Sequence, residues 1–238
     1  MRGAGPSLPL VADELDLLGE LVPLAGQEII ELGCGAARLA RALLHRHPDC
    51  RVTALEVDAR QHAANLAAPQ PGLHFVAAPA QAVPCAAASF DLALMLKSLH
   101  HVPVVAMPSA LDEVHRVLRP GGHLYVSEPV YGGDFGDIVR LYHDEGAERA
   151  AAQAALGEAL RTGRWTPVAE RRFATESHFV DFDDFLRRVV GVTYAEHRLD
   201  ERTLAAVRAS FERHLGPHGA YFLRPMHVRL LRRAMASS

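Results

Sequence analysis

The chain has 238 residues, of which 49% are hydrophobic and 22% charged, and its formal net charge is −3. That length supports one sizeable core, no run approaches the roughly 18 apolar residues of a membrane span, and the charge argues against a surface built on a nucleic-acid backbone. Small-molecule partners are favoured, either for a monomer or for a homodimer.

Leu8 to Leu24 carries apolar residues at helical spacing and reads as an amphipathic leading helix. The opening Met1-Arg2-Gly3-Ala4-Gly5-Pro6 lacks the apolar stretch of a secretory signal, which implies a cytoplasmic protein. Cys34, Cys50 and Cys85 have no short repeated spacing and read as reduced thiols, with no metal site expected. Glu28 to Leu32 is a short apolar run that stops at glycines, hence a buried strand. A helix follows from about Ala37 to His47. The alternation continues with strand Arg51 to Glu56, helix Ala59 to Ala67, strands Leu73 to Ala77 and Phe90 to Lys97, helix Pro108 to Leu118 and strand Gly122 to Glu128. Strands separated by such helices predict a doubly wound α/β fold with a mostly parallel sheet. From Tyr131 to Gly163 the pattern is mostly helical behind the glycine-studded entry Gly132-Gly133-Asp134-Phe135-Gly136, a segment placed to act as a lid. Arg171 to Val180 reads as a strand, Phe182 to Val190 and Glu201 to Leu215 as helices, and Ala220 to Leu231 as a final strand.

In a parallel sheet a ligand lies beyond the carboxyl ends of the strands, where the strand order reverses. The first strand ends in Glu31-x-Gly33-x-Gly35, where glycines let the backbone approach a ligand. Glu56 ends the second strand, a carboxylate suited to the hydroxyls of a ribose. A Gly-x-Gly turn alone is equally a plain strand-to-helix connection. Between an apolar strand and a helix, with an acid ending the next strand, it points to a nucleoside-containing cofactor.

Four segments in order resemble the motifs of class I methyltransferases that use S-adenosylmethionine (SAM). They are Ile30-Glu31-Leu32-Gly33-Cys34-Gly35, Ser89-Phe90-Asp91-Leu92, Leu99-His100-His101-Val102 and Glu113-Val114-His115-Arg116-Val117-Leu118-Arg119-Pro120-Gly121-Gly122. The nearest branch is the ubiquinone/menaquinone-biosynthesis type, and the resemblance covers about Gln27 to Glu128. It implies a seven-stranded Rossmann-like sheet with a reversed last strand, carrying a helical lid after strand five. The segments implied are an N-terminal helical part (1–26), a SAM-binding core (27–130), the lid (131–165) and a part completing the sheet (166–238), one domain overall. It also implies SAM as cofactor and S-adenosylhomocysteine (SAH) as product, with Gly33 and Gly35 along the methionine part, Glu56 on the ribose and Val57 along the adenine. Glu31, Cys34, Ala80, Gln81 and Leu96 complete the expected cofactor set. Two departures stand out: Ala37 occupies a place often held by a third glycine, a change expected to affect only helix packing. Pro79 occupies that of an adenine-binding aspartate, so that either Gln81 or a backbone group substitutes or adenine binding is weaker than usual.

Methyl transfer from a sulfonium is an in-line displacement favoured by a dry, aligned pocket, and a base is needed only if the acceptor loses a proton. Candidates on the acceptor side are Lys97, His100, Tyr131 and His143, with His101, Glu128 and Tyr142 beside them. His100 and His101 also suit structural roles, and Cys34 reads as a small filler beside the cofactor. Lys97 is the only lysine among 25 basic residues, which fits either a contact to an anionic or carbonyl group or a chance surface position. Arg229, Arg232 and Arg233 read as a solvated face rather than an anion site. The rival classes are a nicotinamide-dependent oxidoreductase and a SAM-binding protein without activity. Glu31 ahead of the first glycine and the lack of a Gly-x-Gly-x-x-Gly spacing disfavour the first.

Overall fold

The computed structural model describes residues 8–191 and 199–235. The opening Met1 to Pro6, on which the lack of a secretory signal was read, lies outside the described residues. The chain divides into two compact units. The smaller comprises Met1–Ala12, Pro129–Ala147 and Arg172–His227, and the larger comprises Asp13–Glu128, Glu148–Arg171 and Val228–Ser238.

In the larger unit, helix α1 (Glu14–Leu21) is shorter than the apolar pattern from Leu8 suggests. The Asp13 side chain accepts from Leu15 N at 2.9 Å and starts the helix there, as an N-cap carboxylate does by taking a donor the helix leaves unpaired. Residues 9–11 instead lie along residue 174 in the smaller unit, where Ala174 N donates to Pro9 O and Val11 N to Ala174 O, both at 2.9 Å. Strand β1 (Glu28–Leu32), α2 (Arg38–Arg46), β2 (Arg51–Glu56), α3 (Ala59–Leu66), β3 (Leu73–Ala77), β4 (Phe90–Leu96), α4 (Met107–Val117) and β5 (Leu118–Pro129) follow. β1 pairs in parallel with β2 and β4, β2 with β3, and β4 with β5. α4 turns Met107, Ala110, Leu111, Val114 and Val117 inward, the i, i+3, i+4, i+7 stripe that covers a sheet.

β5 begins four residues before the expected Gly122. The Arg119-Pro120-Gly121-Gly122 stretch falls where the β4–β5 register shifts between Phe90 and Leu92, with Gly121 at φ 82°, and a Cβ at Gly122 would meet Arg119 O at 2.9 Å and Asp91 O at 3.0 Å. That close backbone approach is why glycine stands there. Asp91 itself accepts from Glu28 N at 3.0 Å and pairs with Arg119 at 2.6 Å, tying the starts of β1, β4 and β5 together.

Beyond β5 come α5 (Gly133–Val139), α6 (Gly146–Arg161), β6 (Trp165–Phe179), α7 (Phe182–Phe185) with a π-helical turn (Leu186–Val190), α8 (Glu201–Glu212), β7 (Leu215–Gly216) and β8 (Gly219–Arg233). The segment 131–165, expected to be one insertion, is divided between the units. Ala152, Leu156 and Ala159 of α6 belong to the same apolar cluster as α4, Ile30 and Met95, so α6 is core structure. α5 belongs to the smaller unit, where Phe135, Phe179, Phe182, Phe185, Phe211 and Phe222, six of the nine phenylalanines, form the core. Burying each such ring is worth roughly 1.5–3 kcal/mol.

Among the described residues the sheet order is β3-β2-β1-β4-β5-β8-β6, the expected seven strands, with the two-residue β7 attached to β8. The chain moves outward from β1 to β3, then returns to β4 on the other side of β1. The reversal of strand order therefore falls between β1 and β4. No helix among the described residues is long and apolar enough to cross a membrane.

Ala37 corrects the expectation that a missing third glycine affects packing alone. It precedes α2 with φ 52° and ψ 34°, a left-handed backbone, which costs a non-glycine residue about 1–2 kcal/mol. Ala37→Gly should therefore change unfolding free energy by less than about 1 kcal/mol, relief of strain offsetting the lost methyl. Ala40→Gly, inside α2, should cost about 2 kcal/mol. Urea unfolding of the two variants checks this, and equal losses would contradict it.

Candidate cofactor site

The turn after β1 is left-handed at Gly33 (φ 72°), Gly35 (φ 52°) and Ala37 (φ 52°). Three neighbours hold it. The backbone of Leu55 in β2 accepts from Gly33 N at 3.0 Å and Cys34 N at 2.9 Å. Glu56 Oε2 accepts from Gly35 N at 2.7 Å, while its Oε1 accepts from Val57 N and Asp58 N at 2.8 Å each. Asn65 of α3, buried, donates from Nδ2 to Gly35 O at 2.8 Å. Across the strand reversal, Ser98 donates from Oγ to Leu32 O at 2.7 Å.

The two glycines differ in what surrounds them. A Cβ at Gly33 would sit 2.8 Å from Ser98 Cβ, whereas one at Gly35 would meet nothing within 4 Å. Gly33 thus answers to packing of the protein against itself, and Gly35 faces open space. Just past Glu56, Val57 is 69% exposed, an apolar side chain beside a polar rim. Ala80, Gln81 and Leu96 are half-buried near the carboxyl ends of β3 and β4. At Pro79, where the resemblance implies an aspartate, the carbonyl accepts from Ala82 N at 3.1 Å in a tight turn.

Two buried acids share this edge. Glu31 is 4% exposed and Glu56 7%, and Glu31 Oε2 has no hydrogen-bond partner. Burial pushes the Glu31 carboxyl from 4.5 up to about 8, with the backbone of Ala40 opposing and Glu56 adding to the rise. Burial likewise pushes the Cys34 thiol far up, reinforced by both acids. Cys34 is therefore no thiolate despite its place before a helix.

At the ends of β4 and β5, Lys97 adopts φ 56°, a conformation uncommon for a non-glycine side chain and concentrated at functional positions. Its N donates to Ser127 O at 2.7 Å. His100 Nδ1 bonds Glu128 Oε2, and Glu128 Oε1 accepts from Leu99 N at 2.9 Å. His101 stacks obliquely on His100 with ring centroids 4.1 Å apart. Glu113 and Arg116 of α4 clamp the loop after β3. Glu113 Oε2 accepts from Val83 N at 2.9 Å, and Arg116 donates to Val83 O and Cys85 O, each at 2.8 Å.

The larger unit thus holds Glu31, Gly33, Cys34, Gly35 and Glu56 in one hydrogen-bonded neighbourhood. Tyr131 and His143 belong to the smaller unit, where Tyr131 donates to Asp144 at 2.9 Å and His143 Nε2 lies 2.9 Å from Glu145 Oε1. Asn65 and Ser98 were not among the residues expected from sequence.

Residues 30–126 match a family model described as a methyltransferase domain. Over this stretch the chain is similar to methyltransferase domains. An O-methyltransferase of Pyrenophora dematioidea is 34% identical over 137 residues, covering 55% of this chain and 50% of that protein. The ubiquinone/menaquinone biosynthesis C-methyltransferase UbiE of Dinoroseobacter shibae is 32% identical over 113 residues, covering 45% of this chain and 44% of its own. The chain spans about half the length of these curated relatives, or less. Among solved structures, the YcgJ protein of Bacillus subtilis superposes with TM-score 0.65 at 14% identity, covering 93% of this chain and 98% of that one. A geranyl diphosphate methyltransferase solved with GPP and sinefungin gives 0.56 at 14% identity over 92% and 77% of the two chains. At such identities the likeness establishes the fold alone. The turn and acids described above lie within the stretch that matches a methyltransferase domain.

The buried acid of this domain has a measurable consequence. A folded state that keeps a proton on Glu31 up to about pH 8, where the unfolded chain releases it near 4.5, gains stability that is complete below 4.5 and is lost as pH rises towards 8. His115 and His123, held below their ordinary value by burial, tilt the profile the other way. The difference between parent and Glu31→Gln isolates the acid. In denaturant titrations from pH 5 to 8.5, the parent should lose stability relative to Glu31→Gln, and parallel profiles would contradict it.

Proposed function

We propose that this methyltransferase domain binds SAM on the Gly33–Gly35 turn and transfers its methyl group to a small-molecule acceptor. The observation that carries the reading is the bond from Gly35 N to Glu56 Oε2 at 2.7 Å, which sets an acid beside a turn whose second glycine faces open space. The residues present fit the cofactor. Glu56 keeps unused lone pairs for ribose hydroxyls, exposed Val57 offers an apolar face to adenine, and open Gly35 admits the methionine part. Glu31 adds an unpartnered carboxylate oxygen where a cationic ligand would hold it ionised. Lys97 is assigned to an anionic or carbonyl-bearing group of the acceptor, or to the cofactor carboxylate, because a compact ammonium suits a point contact.

The bound cofactor would supply an electrophilic methyl group. The domain's own task is to bind, orient and keep water out, since alignment accounts for most of the barrier in a displacement of this kind. Binding alone is not transfer: the 4+2-cyclase SpnF shares the fold with TM-score 0.63 at 19% identity, and fold does not dictate reaction.

Calorimetric titration with SAH tests the site. Gly35→Ala should fold, at a cost of about 1–2 kcal/mol for its left-handed backbone, yet lose at least about tenfold in affinity because its methyl enters the open space. Glu56→Ala should lose about tenfold or more, the worth of charge-assisted hydrogen bonds. Parent-like affinity in both folded variants would remove the turn from the cofactor site.

A further inference from the structure

Of the eight residues of α3, the one that is buried is polar: Asn65, 3% exposed. An amide in such a place is costly unless its groups find partners, and here they do. Asn65 Nδ2 donates to Gly35 O at 2.8 Å and lies 3.8 Å from Cys34 Sγ, while Oδ1 accepts from Gln61 Nε2 at 3.1 Å, one helical turn back. The direction of this chain is dictated by its end. A carbonyl oxygen only accepts, so Nδ2 faces Gly35, Oδ1 faces Gln61, and Gln61 presents its amide nitrogen.

Gly35 is thereby gripped on both sides, from two elements. Glu56, at the end of β2, takes its N–H, and Asn65 takes its carbonyl. The two grips differ in what else they hold. Glu56 is anchored independently of the turn, because its other oxygen accepts from Val57 N and Asp58 N. The Gly35 carbonyl has, besides Asn65, the Cys34 thiol at 3.5 Å, a weak donor.

The grip of Asn65 falls where side-chain packing gives no restraint. Gly35 adopts φ 52°, and a Cβ there would meet nothing within 4 Å. In a trans peptide the N–H and C=O point opposite ways. With the Gly35 carbonyl drawn to α3, the N–H of the next residue, exposed Ala36, points away from α3. Rotation of this peptide would turn a carbonyl oxygen outward in place of an N–H donor, the wrong group to meet the carboxylate of an amino acid.

Resting on the cofactor reading above, we propose that Asn65, aligned by Gln61, is a positioning residue for the amino-acid end of the cofactor and sets the preference of the site for a nucleoside that carries an amino acid over the nucleoside alone. The nucleoside end, which that reading gives to Glu56 and Val57, does not depend on it. Asn65 touches no reacting atom, and its effect passes through the Gly35–Ala36 peptide.

Calorimetric titration of the full chain with SAH and with 5′-methylthioadenosine tests this, since the second ligand has the same nucleoside and a neutral sulfur but no amino-acid part. In Asn65→Leu, which keeps the bulk and removes the donor, SAH affinity should fall at least about tenfold while that for 5′-methylthioadenosine stays within about twofold. Gln61→Leu, at a half-buried position, should move the ratio of the two affinities the same way by about threefold. A residue that merely supports the fold would weaken both ligands alike. An unchanged ratio in folded Asn65→Leu, or in Gln61→Leu should Asn65→Leu not fold, therefore overturns the proposal. A parent that binds SAH no tighter than 5′-methylthioadenosine also overturns it, while leaving the nucleoside half of the cofactor reading in place. Failure of the parent to bind either ligand would overturn the cofactor reading itself, and this inference with it.

Discussion

The carboxyl edge of the larger unit depends on a backbone that turns left-handed at three of five successive residues, Gly33, Gly35 and Ala37. Such a turn is unfavourable for an L-residue and persists only where its surroundings over-determine it. Glu56, Asn65, Leu55 and Ser98 supply that determination from β2, α3 and the end of β4. The outcome is a gap at Gly35 bounded by fixed polar groups. A rigid concavity of this kind suits a ligand whose reacting atom must be aligned to within a fraction of an ångström.

Two carboxyls, Glu31 and Glu56, lie side by side with little solvent, and their partners differ. Glu56 accepts three backbone N–H groups, whereas Glu31 leaves an oxygen unmatched and is pushed up to about 8. The site as it stands is thus short of positive charge. A ligand carrying a cation relieves that shortage, and a neutral nucleoside does not. The same asymmetry accounts for Cys34, whose thiol is held neutral by burial beside both acids.

Much of this was readable in the chain. The apolar runs Glu28 to Leu32 and Phe90 to Lys97 became β1 and β4 almost to the residue, because a strand buried on both faces has a continuous apolar pattern, which short length and flanking turn residues separate from a buried helix. Gly35 and Glu56 stood out as candidates from their positions, since those positions depend on where strands end. Asn65 and Ser98 were missed for a physical reason: one polar residue on a short helix and one serine after a strand have no periodic signature, and their importance lies in contacts 30 and 66 residues away. The left-handed Ala37 was invisible because alanine announces helix. The Ala-rich pattern of α6 lacks a distinct polar face, so its docking into the core follows only from tertiary packing of Ala152, Leu156 and Ala159.

The central claim is that this turn is where the cofactor lies, and a crystal structure of the protein with SAH tests it most directly. The account predicts the ribose hydroxyls within hydrogen-bond distance of Glu56, the adenine against Val57 and the amino-acid part passing Gly35 near Glu31. A ligand bound elsewhere, or one whose ribose makes no contact with Glu56, would contradict it.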